Sequence, residues 1–153
     1  MPYEAIQVQE MTPACGAIIE DVDLSQELTN HQFEEIHRAL LDRIVIIFRD
    51  QQLTESQHVV FARRFGDIQP NEKSGFEKHK DHLEVDILES DSDNPPHVTV
   101  DLWHTDFAGM ERPTMGTALY ARKIPSEGGD TIWVNTIAAY EALSDRMKTH
   151  ING

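Results

Sequence analysis

The spacing of apolar side chains divides the chain into short strands and helices. Ile6 and Val8 alternate with polar neighbours, and Gly16-Ala17-Ile18-Ile19 is a brief apolar run, so two short strands are predicted. Thr29 and Gln32 stand at capping-box spacing, and Phe33, Ile36, Leu40 and Leu41 follow at helical intervals. A helix results, its apolar stripe on one side and Glu34, Glu35, Arg38 and Asp42 largely on the other. Ile44-Val45-Ile46-Ile47-Phe48 is a continuous run rich in β-branched residues, as expected of a strand buried on both faces. Arg49-Asp50-Gln51-Gln52 ends it. A second capping box, Thr54 to Gln57, opens a helix with Val60, Phe61 and Phe65, and Gly66 stands where a left-handed terminal residue belongs.

From Asp67 to Asp101 the periodicity fades. This stretch holds ten acidic residues and three lysines around one readable strand, Leu83 to Ile87, with Pro95-Pro96 near its end. It reads as a loop-rich acidic insertion, either a binding loop or a solvated surface. Beyond Pro96 the period is two. Val98, Val100 and Leu102 alternate with Thr99, Asp101 and Trp103; Met115, Thr117, Leu119 and Ala121 alternate with Gly116, Ala118, Tyr120 and Arg122. A turn over residues 125–129 leads to a short strand, Thr131 to Val134. Asn135 or Thr136 then caps a helix carrying Ile137, Tyr140 and Leu143, and Ser144 caps another toward Ile151. The second half thus reads as the start of an antiparallel β architecture with many unpaired edges. Such edges aggregate unless covered, which predicts that the chain is the N-terminal part of a longer protein.

Composition narrows the classes. With 153 residues, 39% of them apolar, the chain suits one ordinary domain with a real core. Its 13 basic and 27 acidic side chains leave a net charge of −14, which excludes nucleic acid and acidic membrane surfaces as partners by repulsion. Cys15 is the single cysteine, so no internal disulfide forms. No apolar stretch approaches ~18 residues, and Met1-Pro2-Tyr3-Glu4 has no basic n-region. The expectation is a cytoplasmic protein away from membranes, and a homo-oligomer is compatible with it.

Eight histidines offer the candidate chemistry. Side chains at i and i+2 of an extended segment point the same way, so a His-x-Asp triplet can bring one imidazole and one carboxylate to a single metal ion. Two such triplets occur, His79-Lys80-Asp81 and His104-Thr105-Asp106, against roughly 0.7 expected by chance from the chain's own composition. Context separates them. The first lies in the acidic, lysine-bearing stretch and reads as an exposed polar loop. The second ends the alternating segment Val98 to Trp103, between Trp103 and Phe107, which could form a dry wall. Two imidazoles and one carboxylate on one face are the pattern of non-haem Fe(II) oxygenases. His104 and Asp106 supply two of these three; the third would come from His150 or from outside the chain.

Leu102-Trp103-His104-Thr105-Asp106, then Arg112-Pro113, Gly128-Gly129-Asp130-Thr131-Ile132-Trp133 and Ala138-Ala139-Tyr140-Glu141-Ala142-Leu143, resemble the taurine dioxygenase (TauD/TfdA) family in order and spacing. Upstream, Gly16-Ala17, Asp23-Leu24, Val45 to Gln51, Phe65-Gly66 and Asn94-Pro95-Pro96 are similar to it as well. The likeness covers nearly all of this chain but only about the first half of a family member.

The resemblance implies an Fe(II)- and 2-oxoglutarate-dependent dioxygenase. Such an enzyme hydroxylates a C–H bond of a small, anionic organic substrate with O2 and releases succinate and CO2. It implies a double-stranded β-helix (jelly roll, mainly β with α), truncated here after its first core strands, with residues 1–153 as the N-terminal portion of one domain. His104 and Asp106 match the first two iron ligands, and Thr131 the threonine that helps hold the distal carboxylate of 2-oxoglutarate. Phe107 is a candidate for the substrate side of the pocket. No part of the sequence matches the family's distal histidine or its co-substrate arginine, so the isolated chain is expected to be inactive. Taurine-cleaving members carry a histidine and a tyrosine after the Phe-Gly pair; Asp67 to Leu83 holds no tyrosine, which argues against taurine. Two alternatives stand beside this reading. One is a non-catalytic interaction module with a degenerate metal site, using the acidic insertion as its contact surface. The other is a small metalloprotein gathering His79, His82, His104 and Asp106 around one ion.

Overall fold

Residues 2–69, 76–90 and 102–153 are described by the structure, a computed structural model, and they fall into two units. Met1–Gln52 and Ile124–Gly153 build the first, Leu53–Lys123 the second.

In the first unit, β1 (Gln7–Glu10) and β2 (Ala17–Glu20) pair antiparallel, and β3 (Ile46–Phe48) joins the other side of β2 in parallel. Gly16 adopts φ +89°, which an L side chain resists, and leads the chain into β2. A parallel pair needs a crossover, and helix α1 (Asn30–Arg43) supplies it, packing on β2 and β3. Both halves of its capping box are made: Gln32 N–H donates to Thr29 Oγ1 at 3.2 Å, and Thr29 N–H donates to Gln32 Oε1 at 3.1 Å. Ile6, Ala17, Ile19, Leu24, Ile36 and Ala39 make the core. Two short helices, α3 (Thr136–Glu141) and α4 (Asp145–Asn152), follow the expected caps Asn135 and Ser144. Asn135 also donates through Nδ2 to the Ala14 carbonyl at 2.8 Å.

Three details depart from the periodicity. Leu41, placed on the apolar stripe by spacing, is 65% exposed, because the buried face of α1 runs through Ile36 and Ala39 and Leu41 turns away from it. Ile44 caps α1 at φ +70° instead of opening a strand, an outlying conformation for a β-branched residue. The strand itself is only half-buried, since β3 pairs on one side alone.

A further departure concerns Glu35. Read as part of the polar face, it is buried and accepts hydrogen bonds from Glu4 N–H at 2.9 Å and Ala5 N–H at 2.8 Å, with Arg38 at 3.3 Å. Burial alone would raise its pKa. The backbone donors of Ala5 and Glu4, then the charges of His31 and Arg38, outweigh that and hold the carboxyl below its usual 4.5. A carboxyl lowered in the fold contributes stability that is present above its unfolded pKa and lost as pH falls through the folded value. The thermal midpoint of the wild type should therefore fall more steeply below about pH 4.5 than that of Glu35→Gln. Parallel curves for the two proteins would remove Glu35 from the acid response.

In the second unit, helix α2 (Glu55–Arg63) begins with the expected Thr54–Gln57 box and packs against β5 (His82–Ile87). β5 pairs antiparallel with β4 (Glu77–His79), a strand the sequence pattern did not reveal. β4 is three residues long with an irregularity at Lys78/His79, too short to carry a period. Charge fixes this hairpin: Lys78 pairs with Asp86 across it, and Arg63 of α2 reaches Glu84 at 3.0 Å.

The alternating segments behave differently from expectation. Residues 98–101 lie outside the described residues, and among the described residues neither Met115 to Ala121 nor Thr131 to Val134 belongs to a ladder. Alternation makes a segment fit for a sheet, but a strand exists only with a hydrogen-bonded neighbour. Leu102, Leu119, Ile124 and Ile132 are accordingly exposed. Among the described residues, no helix is long and apolar enough to cross a membrane.

Candidate metal centre

The chain at Leu102 to Asp106 runs without helix or ladder and ends in a turn over residues 106–109. His104 Nδ1 lies 2.8 Å from the Leu102 carbonyl oxygen. A carbonyl only accepts, so Nδ1 carries a proton, and Nε2 is the ring nitrogen that faces away from this bond. Nε2 stands 3.4 Å from Asp106 Oδ1. Metal bonds to imidazole and carboxylate are about 2.0–2.2 Å, so two donors this close can share one ion. The other carboxylate oxygen, Oδ2, accepts from the Thr117 hydroxyl at 2.7 Å. Phe107 follows at φ +54°, outlying for an aromatic residue, and its carbonyl accepts from Met110 N–H at 3.0 Å to close the turn. The pair is open to water, with His104 57% and Asp106 48% exposed at the side chain. Trp103, expected as part of a dry wall, is 70% exposed; Phe107 is half-buried.

One imidazole and one carboxylate suit a first-row divalent ion and fit two positions of a facial triad. Among the described residues, no group of three or more His, Cys, Asp or Glu side chains could hold an ion. The four-ligand reading fails on this point, because His79 and His82 are engaged elsewhere. His82 Nε2 lies 3.0 Å from Ser56 Oγ, and His79 lies 3.9 Å from Glu55, which Arg122 also pairs. Glu55 is held below the usual carboxylate range chiefly by its own backbone N–H at the start of α2. Burial opposes this; Arg122, His79 and His82 add to it. His150 sits in the last turn of α4, in the first unit, as does Thr131, which is exposed after two glycines at φ +72°.

The segment carrying Thr117 is anchored to α2 and the residue before its cap. Leu53 N–H donates to the Tyr120 hydroxyl at 3.0 Å, the His58 ring packs on Tyr120 at 5.9 Å, and His58 hydrogen-bonds the Ala118 backbone. Burial pushes the His58 pKa down, against the bond to Ala118. Sequence reasoning passed over Thr117 and His58. The available signal for Thr117 was a hydroxyl sharing a period with Met115 and Leu119.

The description "Taurine catabolism dioxygenase TauD, TfdA family" matches residues 7–153. The chain belongs to the TauD/TfdA family. An alkylsulfatase of Acinetobacter baylyi is 33% identical over 148 residues, 96% of this chain and 45% of the relative. An alpha-ketoglutarate-dependent 2,4-dichlorophenoxyacetate dioxygenase of Cupriavidus pinatubonensis is 26% identical over 162 residues, 97% of this chain and 56% of the relative. The crystal structure of a taurine dioxygenase from Burkholderia xenovorans superposes with a TM-score of 0.78 at 31% identity, covering 98% of this chain and 52% of that one. This TauD/TfdA chain therefore has the jelly-roll fold class expected from its motifs, and it spans about half the length of the relatives it matches.

Proposed function

We propose that this chain carries the metal-facing part of an Fe(II)- and 2-oxoglutarate-dependent dioxygenase. Residues 1–153 would form the N-terminal portion of one catalytic domain, and residues 67–101 its loop-rich insertion. The observation that carries the reading is the convergence of His104 Nε2 and Asp106 Oδ1 at 3.4 Å, with His104 Nδ1 held by the Leu102 carbonyl. In this reading His104 gives a neutral nitrogen donor of fixed tautomer. Asp106 gives a negative oxygen that offsets part of the cation's charge. Thr131 offers its hydroxyl to the distal carboxylate of 2-oxoglutarate, and Phe107 lines the substrate side and keeps water from it. Bound Fe(II), with 2-oxoglutarate and O2, supplies the oxidative decarboxylation that drives C–H hydroxylation and leaves succinate and CO2. A sulfate ester, a sulfonate or an aryloxy acid is the substrate class this reading favours, since similar proteins include alpha-ketoglutarate-dependent dioxygenases of sulfonates, of sulfate esters and of 2,4-dichlorophenoxyacetate.

Among the described residues only two ligands converge, in a solvent-open site, so the 153-residue chain should bind iron weakly and turn over nothing measurable. Its Mn(II) affinity, read by electron paramagnetic resonance, should tighten about fivefold or more with saturating 2-oxoglutarate, and not with succinate, which lacks the chelating keto group. Equal affinities with the two acids would rule out the co-substrate. Robust 2-oxoglutarate-dependent succinate release by this chain would overturn its incompleteness.

A further inference from the structure

We propose that Thr117 is the positioning residue of the Asp106 carboxylate, an inference that rests on the reading of His104 and Asp106 as metal ligands. A carboxylate has two oxygens, and an ion facing it can pull either one or both. Here the two are already distinguished. Oδ2 accepts the Thr117 hydroxyl at 2.7 Å, and Oδ1 points to His104 Nε2 at 3.4 Å. The imidazole is treated alike, since Nδ1 is engaged by the Leu102 carbonyl and Nε2 is not. In each side chain one polar atom has a protein partner, and the remaining two atoms converge. Outer partners of this kind orient ligands and tune their basicity.

Position explains why Thr117 is suited to the task. Asp106 opens a turn in which Phe107 adopts φ +54°, and its side chain is half exposed, so local packing does little to hold its rotamer. Thr117 arrives from a segment fastened independently of that turn. One residue on, the Ala118 backbone bonds His58; three residues on, the Tyr120 hydroxyl accepts from Leu53 N–H. Arg122 lies over the Tyr120 ring at 4.9 Å and pairs with Glu55. The hydroxyl thus ties a half-exposed carboxylate to the α2 framework across 11 residues of sequence. Thr117 is itself exposed, so its substitution spares the core.

The test is Co(II) binding to the 153-residue chain, followed by its visible ligand-field absorption, in four proteins: wild type, Thr117→Val, Thr117→Ser and His104→Ala. Thr117→Val keeps the shape and removes the donor; it should weaken Co(II) binding about tenfold and shift the absorption band. Thr117→Ser keeps a hydroxyl and should stay within about threefold of wild type. Loss of binding in His104→Ala together with an unchanged Thr117→Val would overturn the role of Thr117 while leaving the site. Unchanged binding in His104→Ala would overturn the site reading, and this inference with it. Equal weakening in the Val and Ser variants would also overturn it, since a merely steric effect does not distinguish a retained hydroxyl.

Discussion

Replacing His104 with alanine should weaken divalent-cation binding by about 100-fold or more, the largest effect expected anywhere in this chain. Losing an outer partner of a ligand costs about 10–100-fold, and among the described residues His104 is one of only two converging donors. With one donor gone, Asp106 is left as an exposed carboxylate like many others in a chain of net charge −14, and such carboxylates hold transition-metal ions poorly. Asp106→Asn should act in the same direction, because the amide keeps the shape but loses the charge. His79→Ala should leave the affinity within about twofold, since its imidazole is directed to Glu55 and lies outside any three-ligand group among the described residues. Mn(II) titration of the four proteins measures all of this. A His79→Ala protein as impaired as His104→Ala would revive the four-ligand arrangement.

Ile36→Ala should cost about 2–5 kcal/mol of stability, the second large effect. Among the described residues Ile36 is the largest side chain buried without residual exposure, and it belongs to α1, which packs on β2 and β3. The core of the first unit is small, its other members being Ile6, Ala17, Ile19, Leu24 and Ala39, so little can move in to fill the cavity. Thermal unfolding followed by circular dichroism should fall by on the order of 10 °C. Leu41→Ala, five residues on but 65% exposed, should stay within about 0.5 kcal/mol. A loss for Ile36→Ala as small as for Leu41→Ala would mean that the helix does not stand on the sheet as described.

Local chemistry made much of this legible. Both capping boxes, Thr29 with Gln32 and Thr54 with Gln57, form as spaced, because a cap closes within four residues and needs nothing distant. The His-x-Asp pair is local in the same sense: Leu102, His104 and Asp106 set the tautomer and the donor separation within five residues. Glu35 was illegible for the opposite reason. Its partners, the backbone N–H groups of Glu4 and Ala5, lie about thirty residues away, so a helical wheel could only count it as polar surface. β4 was too short for a period, and Thr117 meets Asp106 only when two separate segments are brought side by side.

The sequence by itself determined the family, the fold class and the helix starts, since each rests on spacing within a few residues or on motifs in fixed order. Tertiary structure decided which side chains are buried, which Asp106 oxygen takes the Thr117 hydroxyl, and which segments pair as strands. Those outcomes depend on neighbours remote along the chain. Burial, a second hydrogen-bond partner and a β-ladder are properties of two segments in contact, and no single segment carries them alone.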